Sequence, residues 1–175
     1  MAGLEKAWQP FCGKPLIEHV IERLSPQVDD MVINANQQLE RYQSLGLRVI
    51  GDENNERSGP LLGIYSCLIH IQTGIACVVP CDMPSLPSNL VAHLQANMDK
   101  DSRACLAHDG QRLQPLVSLL LPGVQDVISG YLSRGDRRVH ECMLALPHTV
   151  AYFNDPGAFV NFNTLDQLRH AQQKP

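Results

Sequence analysis

The chain has 175 residues, 44% of them apolar, and a formal charge of −4, which suits one well-buried domain and disfavours a general nucleic-acid surface. No apolar run is long enough to span a bilayer and no basic segment leads into an apolar core, so the sequence predicts a cytoplasmic location without membrane attachment. Six scattered cysteines with no Cys-x-x-Cys pair, and seven dispersed histidines, predict reduced thiols and no histidine-based metal site.

The opening Met1-Ala2-Gly3-Leu4-Glu5-Lys6 reads like the tail of a nucleotide-binding loop, in which glycines bring backbone N–H groups to phosphates and a lysine closes over their charge. Pro15 suits a first helical position, and Ile17, Val20, Ile21 and Leu24 recur on one helical face until Ser25-Pro26. Met31 to Ile33 reads as a short buried strand. Asn36 then suits the cap of a polar helix through Leu45, ended by Gly46, and Leu47 to Ile50 forms the next strand. Gly59-Pro60 starts an apolar helix to about Ile71, and Ile75 to Val79 is an apolar strand. Strands alternating with helices in this way predict right-handed crossovers and a mainly parallel sheet.

The later part continues less regularly. Leu90 to Met98 is helical, Ala104 to Ala107 and Leu116 to Leu121 are strand-like around an Asp109-Gly110-Gln111-Arg112 turn, and Val124 to Leu132 and Arg137 to Leu146 are helical. A strand from His148 to Phe153 and a helix from Thr164 complete a Rossmann-like three-layer αβα pattern. No linker divides it, so residues 1–175 are expected to form a single domain.

Ligands of an open parallel sheet sit beyond the carboxyl ends of its strands, so polar residues that end apolar strands carry the functional argument. Asn34, Asp52 and Asp82 each follow such a strand, and together they predict a shared site. Asp82, before Met83-Pro84, suits Mg²⁺ shared with substrate phosphates; the alternative is a cap for the helix near Leu90. Asp52 and Asn34 suit a base or a ribose, since a carboxylate accepts paired N–H donors and an amide both donates and accepts. Gly59-Pro60-Leu61-Leu62-Gly63 is either simple helix initiation or a close backbone approach to a ligand.

Arg112 either faces solvent or binds a second anionic substrate. Asp136 reads as a helix cap, while Arg137 and Arg138 are either solvated or a bidentate phosphate site. Asn161 and Asn163 alternate to one side ahead of the last helix, and a cap accounts for one of them.

Taken together, Gly3-x-x-Lys6, Gly13-Lys14-Pro15-Leu16, Asn34-Ala35-Asn36, Asp52, Gly59-Pro60-Leu61-x-Gly63, Cys81-Asp82-Met83-Pro84, Arg137-Arg138-Val139 and Asn161-Phe162-Asn163-Thr164 resemble the molybdenum cofactor guanylyltransferases, in order and over nearly the whole chain. The resemblance implies a Rossmann-like nucleotidyltransferase that joins GMP from GTP to molybdopterin and releases pyrophosphate. It implies that Lys6, Asn34, Asp52 and Asp82 contact GTP, that Lys6 and Asp82 serve catalysis, and that Asp82 binds Mg²⁺. It places Arg112, Arg137, Arg138, Asn161 and Asn163 on the pterin side, so that residues 1–100 form a nucleotide half and 101–175 a pterin half. Other cofactor-biosynthesis proteins and molybdoenzyme apoproteins are the partners it implies.

The family pattern opens with a strand and a Leu-Ala-Gly-Gly-x-x-x-Arg-Met-Gly-Gly-x-Asp-Lys loop, and this chain begins at that methionine, with Ala2 for a glycine and Glu5 for an aspartate. The expectation is therefore that the strand and most of the loop are missing, that Met1 is internal to the pattern, and that the strands around Val32 and Val78 carry unpaired edges. The other readings are a cytidylyl- or sugar-phosphate nucleotidyltransferase and a truncated, non-catalytic cofactor-binding module.

Overall fold

A computed structural model describes residues 6–53, 59–71, 74–155 and 157–160. Gly3, Asn161, Asn163 and the helix expected from Thr164 lie outside them. After a 3-10 turn at Lys6–Trp8, strands β1 (Pro10–Phe11) and β2 (Lys14–Pro15) form a short hairpin. Cys12 and Gly13, both at positive φ, make its two-residue turn. Helix α1 (Leu16–Leu24) follows, with Pro15 just ahead of it as the cap residue rather than inside its first turn. A 3-10 turn at Ser25–Gln27 ends it where Pro26 removes a backbone donor.

Strands β3 (Val32–Asn34) and β4 (Arg48–Ile50) run parallel, with Asn34 opposite Ile50. Between them lies α2 (Leu39–Gln43), shorter than the polar helix through Leu45 that the sequence predicts and preceded by Gln38 in the left-handed conformation. Asn36 is thus not its cap. Helix α3 (Pro60–His70) begins after Gly59, whose φ of 81° favours glycine.

The larger sheet contains β5 (Ala76–Val78), β6 (Ala104–His108), β7 (Leu113–Leu120) and β8 (His148–Tyr152), in the order β5-β7-β6-β8. Strand β7 is antiparallel to both neighbours, while β6 and β8 are parallel, so β5, β6 and β8 share one direction. The reversal follows from the Asp109–Arg112 turn, which returns the chain as a hairpin. Among the described residues β3 pairs only with β4 and β5 only with β7, which leaves one edge of each unpaired.

Alternation along the strands divides the core between the two faces of the larger sheet. Cys105, Ala107, Val117, Leu119 and Ala151 meet α1 and α4 (Leu90–Ala96) through Val20, Leu24, Leu90 and Leu94. Ala104, Leu106 and Leu120 meet α3, α5 (Val124–Ser133) and α6 (Val139–Ala145) through Leu61, Ile64, Ile128, Cys142 and Met143. Helices on both faces make the expected αβα layering. A third cluster joins Ala7 and Trp8 to Ile17, Ala35 and Tyr42, fastening the N-terminal turn over β3.

Candidate active site

Asn34 and Asp52 meet at the carboxyl ends of the parallel pair β3 and β4. The Asn34 Nδ2 donates to the Ile50 carbonyl at 3.1 Å and to Asp52 Oδ1 at 2.9 Å. Both are acceptors, which fixes the amide's orientation and turns its oxygen toward α3. There Gly63 leaves the necessary space: a β-carbon at that position would lie 2.9 Å from Asn34 Cγ. The Gly-Pro-Leu-Leu-Gly segment is expected from sequence either to start the helix or to approach a ligand; what Gly63 approaches is the Asn34 side chain, and Gly59-Pro60 starts α3.

Asn36 closes the arrangement. Its Oδ1 accepts the Asp52 backbone N–H at 2.7 Å, and its Nδ2 donates to Asp52 Oδ2 at 2.7 Å. Each Asp52 oxygen therefore accepts one carboxamide N–H, and two of the carboxylate's roughly four lone-pair positions remain open. The next residue is anchored too, as the Glu53 N–H donates to Ser66 Oγ at 2.9 Å from the buried face of α3. The roles of Asn36 and Ser66 are absent from the sequence reading, and their partners lie 16 and 13 residues away.

Asp82 follows β5 in a turn and is only 6% exposed. It does not cap α4, whose cap residue is Asn89. Lys6 Nζ stands 3.8 Å from Asp82 Oδ2, with half of the lysine side chain exposed. The two groups of residues are linked by one segment. Lys6 reaches Asp82, while Trp8 two residues later packs in one cluster with Ala35, which lies between Asn34 and Asn36.

Asp82 offers a hard carboxylate oxygen, and among the described residues no group of three or more His, Cys, Asp or Glu side chains surrounds any candidate metal position. A cation held on Asp82 would take its remaining ligands from phosphate oxygens and water, an all-oxygen set that suits Mg²⁺.

Arg112, Arg134, Arg137 and Arg138 are engaged locally. Arg112 Nε lies 3.6 Å from Asp109 Oδ2 while its side chain stays 71% exposed. Asp109 accepts N–H groups from Gln111, Arg112 and the Gln114 side chain. Burial acts to raise its carboxyl, but these bonds and the Arg112 charge outweigh it and hold the group below the usual carboxylate range. Arg137 donates to the carbonyls of Leu132 and Asp136, closing the end of α5. Arg138 pairs with Glu141 on the first turn of α6. Asp136 pairs with Arg134 rather than capping α6, where Arg138 is the cap residue.

All six cysteines are free. Burial pushes the Cys77 thiol up to about 12 and the Cys142 thiol up to about 11. Cys67 also rises to about 11, by burial and then by the Asp52 charge, with Arg48 opposing.

Residues 1–149 match the family described as the MobA-like NTP transferase domain. A molybdenum cofactor guanylyltransferase of Shewanella sp. (strain ANA-3) is 41% identical over 95% of this chain and 86% of its own. Another, of Photobacterium profundum, is 37% identical over 99% of this chain and 89% of its own. Among solved structures, molybdopterin-guanine dinucleotide biosynthesis protein A of Archaeoglobus fulgidus superposes with a TM-score of 0.77 at 26% identity, covering 98% of this chain and 90% of that one. The 2-C-methyl-D-erythritol 4-phosphate cytidylyltransferase of Thermus thermophilus superposes with a TM-score of 0.72 at 14% identity, covering 95% and 92%, and shares the fold.

Proposed function

This chain belongs to the MobA-like NTP transferases, among the molybdenum cofactor guanylyltransferases, and from that membership we propose how its residues divide the work of moving GMP from GTP to molybdopterin. The observation that carries the proposal is the Asp52 carboxylate, held by two carboxamides at the end of β4. Guanine presents adjacent N1–H and N2–H donors, which an oriented carboxylate accepts together. Cytosine presents a donor beside a ring-nitrogen acceptor, and the acceptor would face carboxylate charge. Asp52 thus favours GTP over CTP, with Asn34 orienting it and bordering the nucleotide.

Lys6 and Asp82 take the phosphate end. The terminal phosphate oxygen of molybdopterin attacks the α-phosphorus of GTP, the bond from that phosphorus to the bridging oxygen breaks, and pyrophosphate leaves with the electron pair. Lys6 draws the triphosphate into place and offsets its charge. Mg²⁺ bound through Asp82 and phosphate oxygens would neutralise the charge gathering on the departing pyrophosphate. No side chain need form a covalent intermediate.

The pterin's anionic end is assigned to the exposed guanidinium groups of Arg112, Arg137 and Arg138, together with Asn161 and Asn163, giving one domain with a nucleotide half (1–100) and a pterin half (101–175). Among the described residues no helix is long and apolar enough to cross a membrane. The proposed setting is the cytoplasm, alongside other cofactor-biosynthesis proteins and recipient apoenzymes. Equilibrium binding of GTP and CTP to the wild type and to Asp52→Asn tests the division of roles. The wild type should prefer GTP, and the variant should lose most of that preference; an unchanged preference would remove Asp52 from base recognition.

A further inference from the structure

We propose that Asn36 is a positioning residue for nucleotide selection, fixing the plane of the Asp52 carboxylate so that its free lone pairs face the Watson–Crick edge of guanine. The inference deepens the assignment of Asp52 to the base and rests on it. The amide orientation of Asn36 is determined by its partners: the Asp52 N–H can only donate, so Oδ1 must face it and Nδ2 must face the carboxylate. The two bonds close a ring between one side chain and both the backbone and side chain of Asp52. That ring restrains rotation of the carboxylate, which the single bond from Asn34 to the other oxygen does not do alone.

The local fold leaves Asn36 available for this task. Helix α2 starts three residues later, at Leu39, and its cap residue is Gln38. Ala35, immediately before Asn36, is buried in the cluster with Trp8 and Tyr42, so the backbone that carries Asn36 is anchored. Asn36 itself is exposed, and so are the hydrogen bonds it makes to Asp52. A buried core is therefore not what the residue supports.

Two substitutions separate orientation of the carboxylate from support of the loop. Asn36→Asp keeps an oxygen that can accept the Asp52 N–H, but replaces the donor facing Asp52 Oδ2 with a second anionic oxygen. Asn36→Ala removes both bonds without adding charge. A residue that merely shaped the loop would tolerate Asp better than Ala; a residue that orients the carboxylate must tolerate Asp worse, because two adjacent carboxylates repel.

The measurement is calorimetric titration of the 175-residue chain with GTP and with ITP, which lacks the 2-amino donor, each with Mg²⁺. Wild type should favour GTP. Asn36→Ala should lower that preference by about fivefold or more, a change within the worth of one or two hydrogen bonds, and Asn36→Asp should lower GTP affinity further than Ala does. The inference is overturned if both variants keep the wild-type GTP-to-ITP ratio, or if Asp binds GTP better than Ala. Asp52→Asn, run in parallel, distinguishes the two levels. If it abolishes the preference while the Asn36 variants do not, only the role of Asn36 falls; if it too leaves the preference intact, the base assignment falls and takes this inference with it.

Discussion

Gly63 is a glycine because of Asn34: a side chain at this position of α3 would overlap the asparagine carboxamide, whose Cγ would lie 2.9 Å from the new β-carbon. Asn34 cannot easily yield, since its Nδ2 is committed to the Ile50 carbonyl and to Asp52. Alanine is otherwise the better helix former by about 1 kcal/mol. The two effects predict a reversal of sign. Gly63→Ala should destabilise the wild type and weaken GTP binding, whereas in an Asn34→Ala background it should stabilise. Urea unfolding of the four proteins of that cycle checks this, and stabilisation in both backgrounds would show that the contact imposes no constraint.

Lys6 and Asp82 face each other but are assigned different work. Asp82→Asn should reduce the rate of nucleotidyl transfer by about a hundredfold or more while changing GTP affinity far less, because its effect is realised as charge develops on the leaving group. Lys6→Met should weaken GTP binding and slow transfer together. Single-turnover rates beside equilibrium binding separate these outcomes, and an Asp82→Asn enzyme with unchanged rate at saturating Mg²⁺ would refute the assignment.

Asp109 supplies a pH signature of the second half. Its carboxyl is held below the usual range by the N–H donors and Arg112, against the opposing effect of burial. A lowered folded value means that the stabilisation is complete above the unfolded value, about 3.9, and is lost as pH falls through the lower folded value. The stability difference between wild type and Asp109→Asn should accordingly be constant above about pH 5 and shrink below about pH 4. A difference independent of pH across that interval would contradict the bonding described for the 109–112 turn.

Thiol chemistry should follow burial. Cys12 and Cys81 are exposed, whereas burial raises the thiols of Cys67, Cys77, Cys105 and Cys142. Since the thiolate is the reactive form, alkylation of the native protein at about pH 8 should modify Cys12 and Cys81 first, with the other four following on unfolding. Mass spectrometry of peptides after a short pulse reads the order directly, and early labelling of Cys77 would contradict it.

Much of the first hundred residues is legible in the sequence because it obeys local rules. Apolar spacing marks α1 and α3, and the residues that end β3 and β4 meet because parallel neighbours bring their carboxyl ends together. Asn36 escapes such reading: an asparagine before a polar, helix-like run looks like a cap, but its winning partner is Asp52, in the loop just beyond β4. Strand β7 begins earlier than its apolar run, since Gln114 and Pro115 interrupt the pattern while the ladder to Ala107 and His108 continues past a bulge. The arginines near α6 show the same limit. Sequence places Arg137 and Arg138 beside each other, and only the structure reveals that one closes α5 and the other pairs with Glu141.

Transfer of GMP by this chain, with Asp52 selecting the base and Lys6 and Asp82 serving the phosphates, is open to direct measurement. The most direct test incubates it with molybdopterin, Mg²⁺ and either GTP or CTP, and measures pyrophosphate and dinucleotide cofactor together. The guanine dinucleotide and pyrophosphate should form in equal amounts from GTP, with little product from CTP. Equal use of CTP, or pyrophosphate released from GTP without the dinucleotide, would contradict it.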